Sequence, residues 1–148
     1  MTSPTLPRSR PAPHAAGDDR RNFGLLLDHG PLAPATARHT ARPVLTSWGL
    51  DEEQIYDTLL VISELVTNAV THALPPVVLH LQATADSGRI QVQVSDGGPQ
   101  PVPTNWAAAR PADEHGRGAV IVSALTGGAG TGLDAEGLID HWADLDVA

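Results

Sequence analysis

The chain has 148 residues, 41% of them hydrophobic, and 17 acidic against nine basic residues give a formal charge of -8. That is enough chain for one domain with its own core. There is no cysteine, and all nine basic residues are arginine. Disulfides, thiolate catalysis and cysteine-ligated zinc are therefore excluded, as is a P-loop, which needs a lysine on the phosphates. The acidic balance argues against a general nucleic-acid binder, and no apolar run is long enough to cross a bilayer.

The first residues carry Pro4, Pro7, Pro11 and Pro13 among Ser, Thr, Arg and Ala. With few large apolar side chains, residues 1–21 are expected to form a disordered arm, and residues 22–148 a single domain. The arm has arginines but no apolar h-region, so it does not read as a secretory signal, and a cytoplasmic location is the expectation. The run Phe23-Gly24-Leu25-Leu26-Leu27, between Asn22 and Asp28, reads as a first strand. Residues 31–47 are alanine-rich, with Pro34 in the first turn, and read as a helix that Pro43 should kink or interrupt. Gly49 ends it. Asp51-Glu52-Glu53 then puts acids at the start of a second helix, where they favour its dipole.

That second helix, expected over 51–73, organises the rest. Ile55, Leu59, Ile62, Val66, Ala69 and Ala73 recur at alternating spacings of four and three, one stripe that needs a core. Glu64, Asn68 and His72 stack four apart on another side of the same helix. Val61 and Leu65 flank this row, so it is not plainly solvent-facing. It is either a polar second face or a set of groups awaiting partners, such as a hydrated divalent cation with phosphate oxygens. Leu74-Pro75-Pro76 stops the helix.

Two alternating strands follow, Val77–Thr84 and Ile90–Asp96, joined at Asp86-Ser87-Gly88; this is a hairpin with one buried face. Asp96 falls in step with Ile90, Val92 and Val94, so its carboxylate points toward the apolar side. It is either satisfied by the glycine turn that follows or aimed at a ligand. Residues 97–115 form a Gly- and Pro-rich loop too long for a turn. His115-Gly116-Arg117-Gly118 leads into a buried helix over 119–125, and such a glycine-rich entry can bind an anion. After Gly127-Gly128-Ala129-Gly130 a last strand is expected near 136–146, with Trp142 and Leu145. The acids Asp134, Glu136, Asp140, Asp144 and Asp146, with no basic residue beside them, read as a solvated outer face.

Taken in order, these signals are Glu-x-x-x-Asn on a helix, a hairpin ending in Asp-Gly-Gly-Pro, a loop, and Gly-Arg-Gly opening a helix. The order resembles the GHKL ATPase superfamily, which includes the histidine kinases. It is most similar to the RsbW-like anti-sigma-factor serine/threonine kinases. The stretch SELVTNAVTHA resembles their N box, VSDGGP their first glycine box and HGRGAVIVSALT their second. The resemblance implies a Bergerat-type ATP-binding fold, a two-layer α/β (α+β) sandwich with a mostly antiparallel sheet and helices on one face.

It further implies ATP and Mg²⁺ as cofactors, with Asn68 ligating the metal and Glu64 acting as general base on the incoming hydroxyl or on water. Asp96 would accept from the adenine amine, Gly98 would let the backbone approach the base, and Gly116, Arg117 and Gly118 would meet the phosphates. His72 reads as a supporting residue. The implied function is phosphorylation of an antagonist protein together with sequestration of a sigma factor. A homodimer is open to such a protein, and neither nucleic acid nor membrane is a direct partner. Two features depart from the pattern. Where such kinases carry Gly-Lys-Thr before the final strand this chain has Leu138-Ile139-Asp140, and where they carry Trp-Gly it has Thr126-Gly127-Gly128. These departures keep open a module that binds ATP and regulates a partner without chemistry. A detached histidine-kinase catalytic domain, its phospho-acceptor supplied in trans, is the third reading.

Overall fold

The computed structural model describes residues 20–84, 88–101 and 128–146. Their elements run β1 (Arg20–Leu27), α1 (Ala33–Ser47), α2 (Glu52–His72), β2 (Val77–Thr84), β3 (Arg89–Asp96), β4 (Gly128–Leu133) and β5 (Ile139–Asp146). The strands form one sheet in the order β1-β2-β3-β5-β4, and every pairing in it is antiparallel. Both helices pack on the same side, giving the two-layer α/β sandwich expected from the sequence.

The core lies between helices and sheet. Along α2 the whole stripe Ile55, Leu59, Ile62, Val66, Ala69 and Ala73 is buried, and Val61 and Val70 join it. Opposite them stand Val77, Leu79 and Leu81 of β2 and Ile90, Val92 and Val94 of β3. Period 2 also resolves the ambiguous leucine run of β1: Leu27 is buried while Leu26 faces solvent. The α2 start is fixed locally by a capping box, in which Asp51 accepts from the Gln54 backbone and the Gln54 side chain accepts from the Asp51 backbone.

Three sequence expectations are corrected. First, of the kink or interruption expected at Pro43, the interruption does not occur: α1 runs through it. Proline in a helix interior costs about 3 kcal/mol, but Ala33, Ala37, Ala41 and Leu45 form a buried i, i+4 stripe against the core, and Pro43 itself faces outward. Tertiary packing outweighs the missing hydrogen bond. Second, Gly128–Leu133 is a strand. Its outer face is glycine at 128, 130 and 132, a composition that reads as loop because glycine has little β preference. A Cβ on Gly130 would stand 2.5 Å from the Trp142 ring, so the indole occupies the space that a side chain would fill. The β4–β5 turn is built by Asp134, whose side chain accepts from the backbones of Glu136 and Leu138, and by Gly137 at φ +87.

Third, the acids of β5 are not all solvated. Asp140 and Asp144 are only 5% and 2% exposed. Ser95 donates to Asp140 at 2.6 Å, and Gln91 donates to Asp144 at 3.1 Å. β3 pairs with β5 so that Gln91 faces Asp144 and Ser95 faces Asp140, which gives each buried acid a hydroxyl or amide partner.

Candidate functional site

The rotation of α2 is set by its apolar stripe, and this decides where the polar row points. Asn68 and His72 project into a cleft of about 480 Å³ between the C-terminal half of α2 and the end of the sheet. Leu65, Ala69 and Ala73 line the same wall. Glu64, one turn earlier, is half-buried and stands back from the lining. The row therefore lies along an open cleft, with Asn68 and His72 still exposed to solvent and Glu64 half-buried.

The floor of the cleft is the end of β3. Asp96, in phase with Ile90, Val92 and Val94, is buried at 2% exposure with its carboxylate at the cleft. Its Oδ1 accepts from the Gly98 backbone N–H at 2.8 Å. The glycine pair after it has two separate causes. Gly97 passes so close to the chain that a Cβ would lie 2.3 Å from the Pro75 carbonyl oxygen, and Gly98 sits at φ +97. The turn is laced to the end of α2: Leu74 donates to Gly98, Gly97 donates to Leu74, and Gln100 donates to His72, all through backbone groups. His29 Nε2 reaches the Ala73 carbonyl at 2.7 Å from the β1–α1 connection. Asn68 and Asp96 are thus held on two elements tied together at their ends.

The far wall comes from the β4–β5 hairpin, whose inner face places Thr131, Ile139 and His141 against the cleft. His141 Nε2 lies 2.9 Å from Asp96 Oδ2. Sequence reasoning missed this residue, although alternation carried the signal, since His141 shares parity with the inward Ala143 and Leu145 of the expected last strand. Gly98 and Pro99 complete the rim. The sequence candidates Gly116, Arg117 and Gly118, and the helix expected over 119–125, lie outside the described residues.

No group of three or more His, Asp or Glu residues able to hold a metal exists among the described residues. The cleft offers a neutral amide oxygen at Asn68 and one buried carboxylate with two partners already. This donor set suits a hard cation that brings its own oxygen ligands, as Mg²⁺ does on a polyphosphate, better than a resident metal. A larger groove of about 670 Å³ lies between α1 and α2, lined by Arg38, Arg42, Tyr56 and Ser63 among others, and among the described residues none of the sequence candidates lines it.

A mixed cleft between one long helix and the end of an antiparallel sheet, with a carboxylate and a glycine turn on its floor, defines the class of ATP-binding α/β sandwiches that the sequence resembles. The chain belongs to the histidine kinase-like ATPase domain family, whose model matches residues 31–129. No curated protein sequence matches it significantly. Among solved structures it is similar to the RsbU and RsbW domains of Rv1364c from Mycobacterium tuberculosis, with a TM-score of 0.64 and 23% sequence identity. That match covers 86% of this chain but 32% of the other, so the chain spans about a third of that structure's length. At this identity the likeness is one of fold.

Proposed function

We propose that the protein is an ATP-dependent serine/threonine kinase of the anti-sigma-factor type, which phosphorylates an antagonist protein and sequesters a sigma factor in the cytoplasm. Membership of a histidine kinase-like ATPase family supports ATP as the ligand. The observation that carries the reading is the convergence of Asn68, Asp96 and Gly98 on one cleft, from two elements laced together by backbone hydrogen bonds.

In this reading Asp96 accepts from the exocyclic amine of adenine, and Gly98 brings backbone close to the base. Asn68 holds Mg²⁺ together with the phosphate oxygens, and the metal when bound supplies charge neutralisation on the transferring phosphoryl group. Glu64, half-buried one turn away, takes the proton of the serine or threonine hydroxyl as its oxygen bonds to the γ-phosphorus and ADP leaves. Gly116, Arg117 and Gly118 present donors to the phosphates. Residue types this sparse suffice, because phosphoryl transfer depends mainly on alignment and electrostatics.

The first test is titration calorimetry with ATP, with and without Mg²⁺, on wild type, Asp96→Asn and Asn68→Ala. Wild type should bind. Asp96→Asn should weaken binding about 10- to 100-fold, the worth of a hydrogen bond to a charged group. Asn68→Ala should erase the difference that Mg²⁺ makes. Absence of binding at millimolar ATP would overturn the reading.

A second reading is favoured by one observation: Glu64 stands back from the cleft lining while Asn68 and Asp96 form it. The domain would then hold ATP and regulate a partner without transferring phosphate. Transfer of labelled phosphate to the antagonist by wild type, lost in Glu64→Ala with ATP affinity retained, would rule this out.

A further inference from the structure

The geometry points to His141 as a specificity-determining residue for the nucleobase: it occupies one oxygen of the Asp96 carboxylate and leaves the cleft suited to a single base donor. This inference rests on the reading of the cleft as an ATP site. It concerns a residue beyond 129, where the family match ends, so nothing about His141 is inherited from that match.

A carboxylate only accepts hydrogen bonds, so the ring nitrogen facing it must carry the hydrogen. Asp96 then has Oδ1 engaged by the Gly98 N–H at 2.8 Å and Oδ2 engaged by His141 Nε2 at 2.9 Å. The two partners come from different directions in the fold. Gly98 follows Asp96 in its own turn, whereas His141 stands on β5, paired with Val94 on one side and Thr131 on the other. Asp96 is 2% exposed, so water does not compete strongly for its oxygens. His141 is 38% exposed and lines the cleft beside it, where a ligand would meet both.

This arrangement matters because a bare carboxylate suits guanine better than adenine. Guanine offers two adjacent donors, the ring N–H and the 2-amino group, which match two free carboxylate oxygens. Adenine offers only its 6-amino group. With each Asp96 oxygen already holding one partner, one lone pair is left on each. A base that brings one donor needs only one of them, while a base that brings two must find both in its own plane, past the fixed Gly98 and His141 donors. Pinning the carboxylate from two sides also fixes its plane, so the remaining acceptor is already oriented when the base arrives. His141 acts through Asp96 and is in that sense a positioning residue.

The experiment is calorimetric titration of Mg²⁺ with ATP and with GTP into wild type, His141→Ala, His141→Gln, Asp96→Asn and the double variant His141→Ala/Asp96→Asn. His141→Ala should weaken ATP binding about twofold to tenfold, the net worth of one ordinary hydrogen bond, because the contact is lost within the protein and not to the base itself. The preference for ATP over GTP should fall by at least the same factor. His141→Gln, which keeps an N–H donor, should restore part of both. In the double variant the two losses should be less than additive, because each acts on the same carboxylate.

Unchanged ATP affinity and base preference in a folded His141→Ala would overturn the inference while leaving the ATP site intact. Tighter ATP binding would overturn it as well, since His141 would then obstruct the base. If wild type binds no ATP, the site reading fails and takes the inference with it. If His141→Ala unfolds, the decision falls to His141→Phe, which keeps a ring but has no N–H: a folded His141→Phe that loses the ATP-over-GTP preference supports the inference, and one with wild-type affinity and preference overturns it.

Discussion

At the residue scale, the tightest steric constraint near the cleft is Gly97. A methyl group there would stand 2.3 Å from the Pro75 oxygen and 3.0 Å from the Leu74 oxygen, both backbone atoms that cannot rotate away. Gly97→Ala should therefore push the Asp96 turn off the end of α2 and destabilise the fold by about 1–3 kcal/mol, the usual range for overpacking. Thermal unfolding followed by circular dichroism measures it, and a midpoint equal to wild type would refute it. Gly98 is constrained differently, since nothing lies near its Cβ position but its φ is +97. Asp96 ties the two together, because the Gly98 N–H that this backbone conformation presents is the partner of its Oδ1.

At the scale of elements, the ends of α2 do different work. Its start is held by the Asp51–Gln54 capping box, remote from the cleft. Asp51→Ala should lower stability by about 0.5–2 kcal/mol with ATP affinity unchanged, which a denaturant titration beside calorimetry would check. Its other end carries the row that faces the cleft and is stitched to the Gly97–Gln100 segment through backbone bonds. On the opposite wall, β4 is an edge strand whose glycine face receives the Trp142 indole. Gly130→Ala should displace that ring and loosen β4 from β5. Faster amide exchange across Gly128–Leu133, with β2 and β3 unaffected, is the expected result, and uniform protection would contradict it. Because Thr131 and His141 stand on the inner face of this hairpin, the same change should also weaken nucleotide binding.

At the scale of the whole molecule, one core between the two helices and five strands of the described residues supports a cleft at one end of the sheet. No helix among the described residues is long and apolar enough to cross a membrane. A ligand that binds the folded state alone must stabilise it by mass action. At 100 times its dissociation constant that is about 2.7 kcal/mol, and for a chain of this size each kcal/mol moves the midpoint by roughly 2–4 °C. Saturating Mg²⁺ and ATP should thus raise the unfolding midpoint by about 5–11 °C in wild type and much less in Asp96→Asn. An equal rise in both would show that the ligand binds elsewhere, the α1–α2 groove being the next place to look.

Local periodicity was enough to determine α2, its buried stripe, its row of Glu64, Asn68 and His72, and the β2–β3 hairpin with Asp96 turned inward. Periods of 3.6 and 2 state directly which side of an element meets the core, and the glycine boxes beside them carried the family. What only the tertiary structure decided involves partners far apart in the chain. Helix α1 continues past Pro43 because its alanine stripe is packed. The glycine-rich β4 is a strand paired with β5, with the Trp142 indole against Gly130, and Asp140 and Asp144 are satisfied where they are buried because β3 brings Ser95 and Gln91 opposite them. His141 reaches Asp96 across 45 residues of sequence, a contact made by the β3–β5 pairing, which no pattern within either strand records.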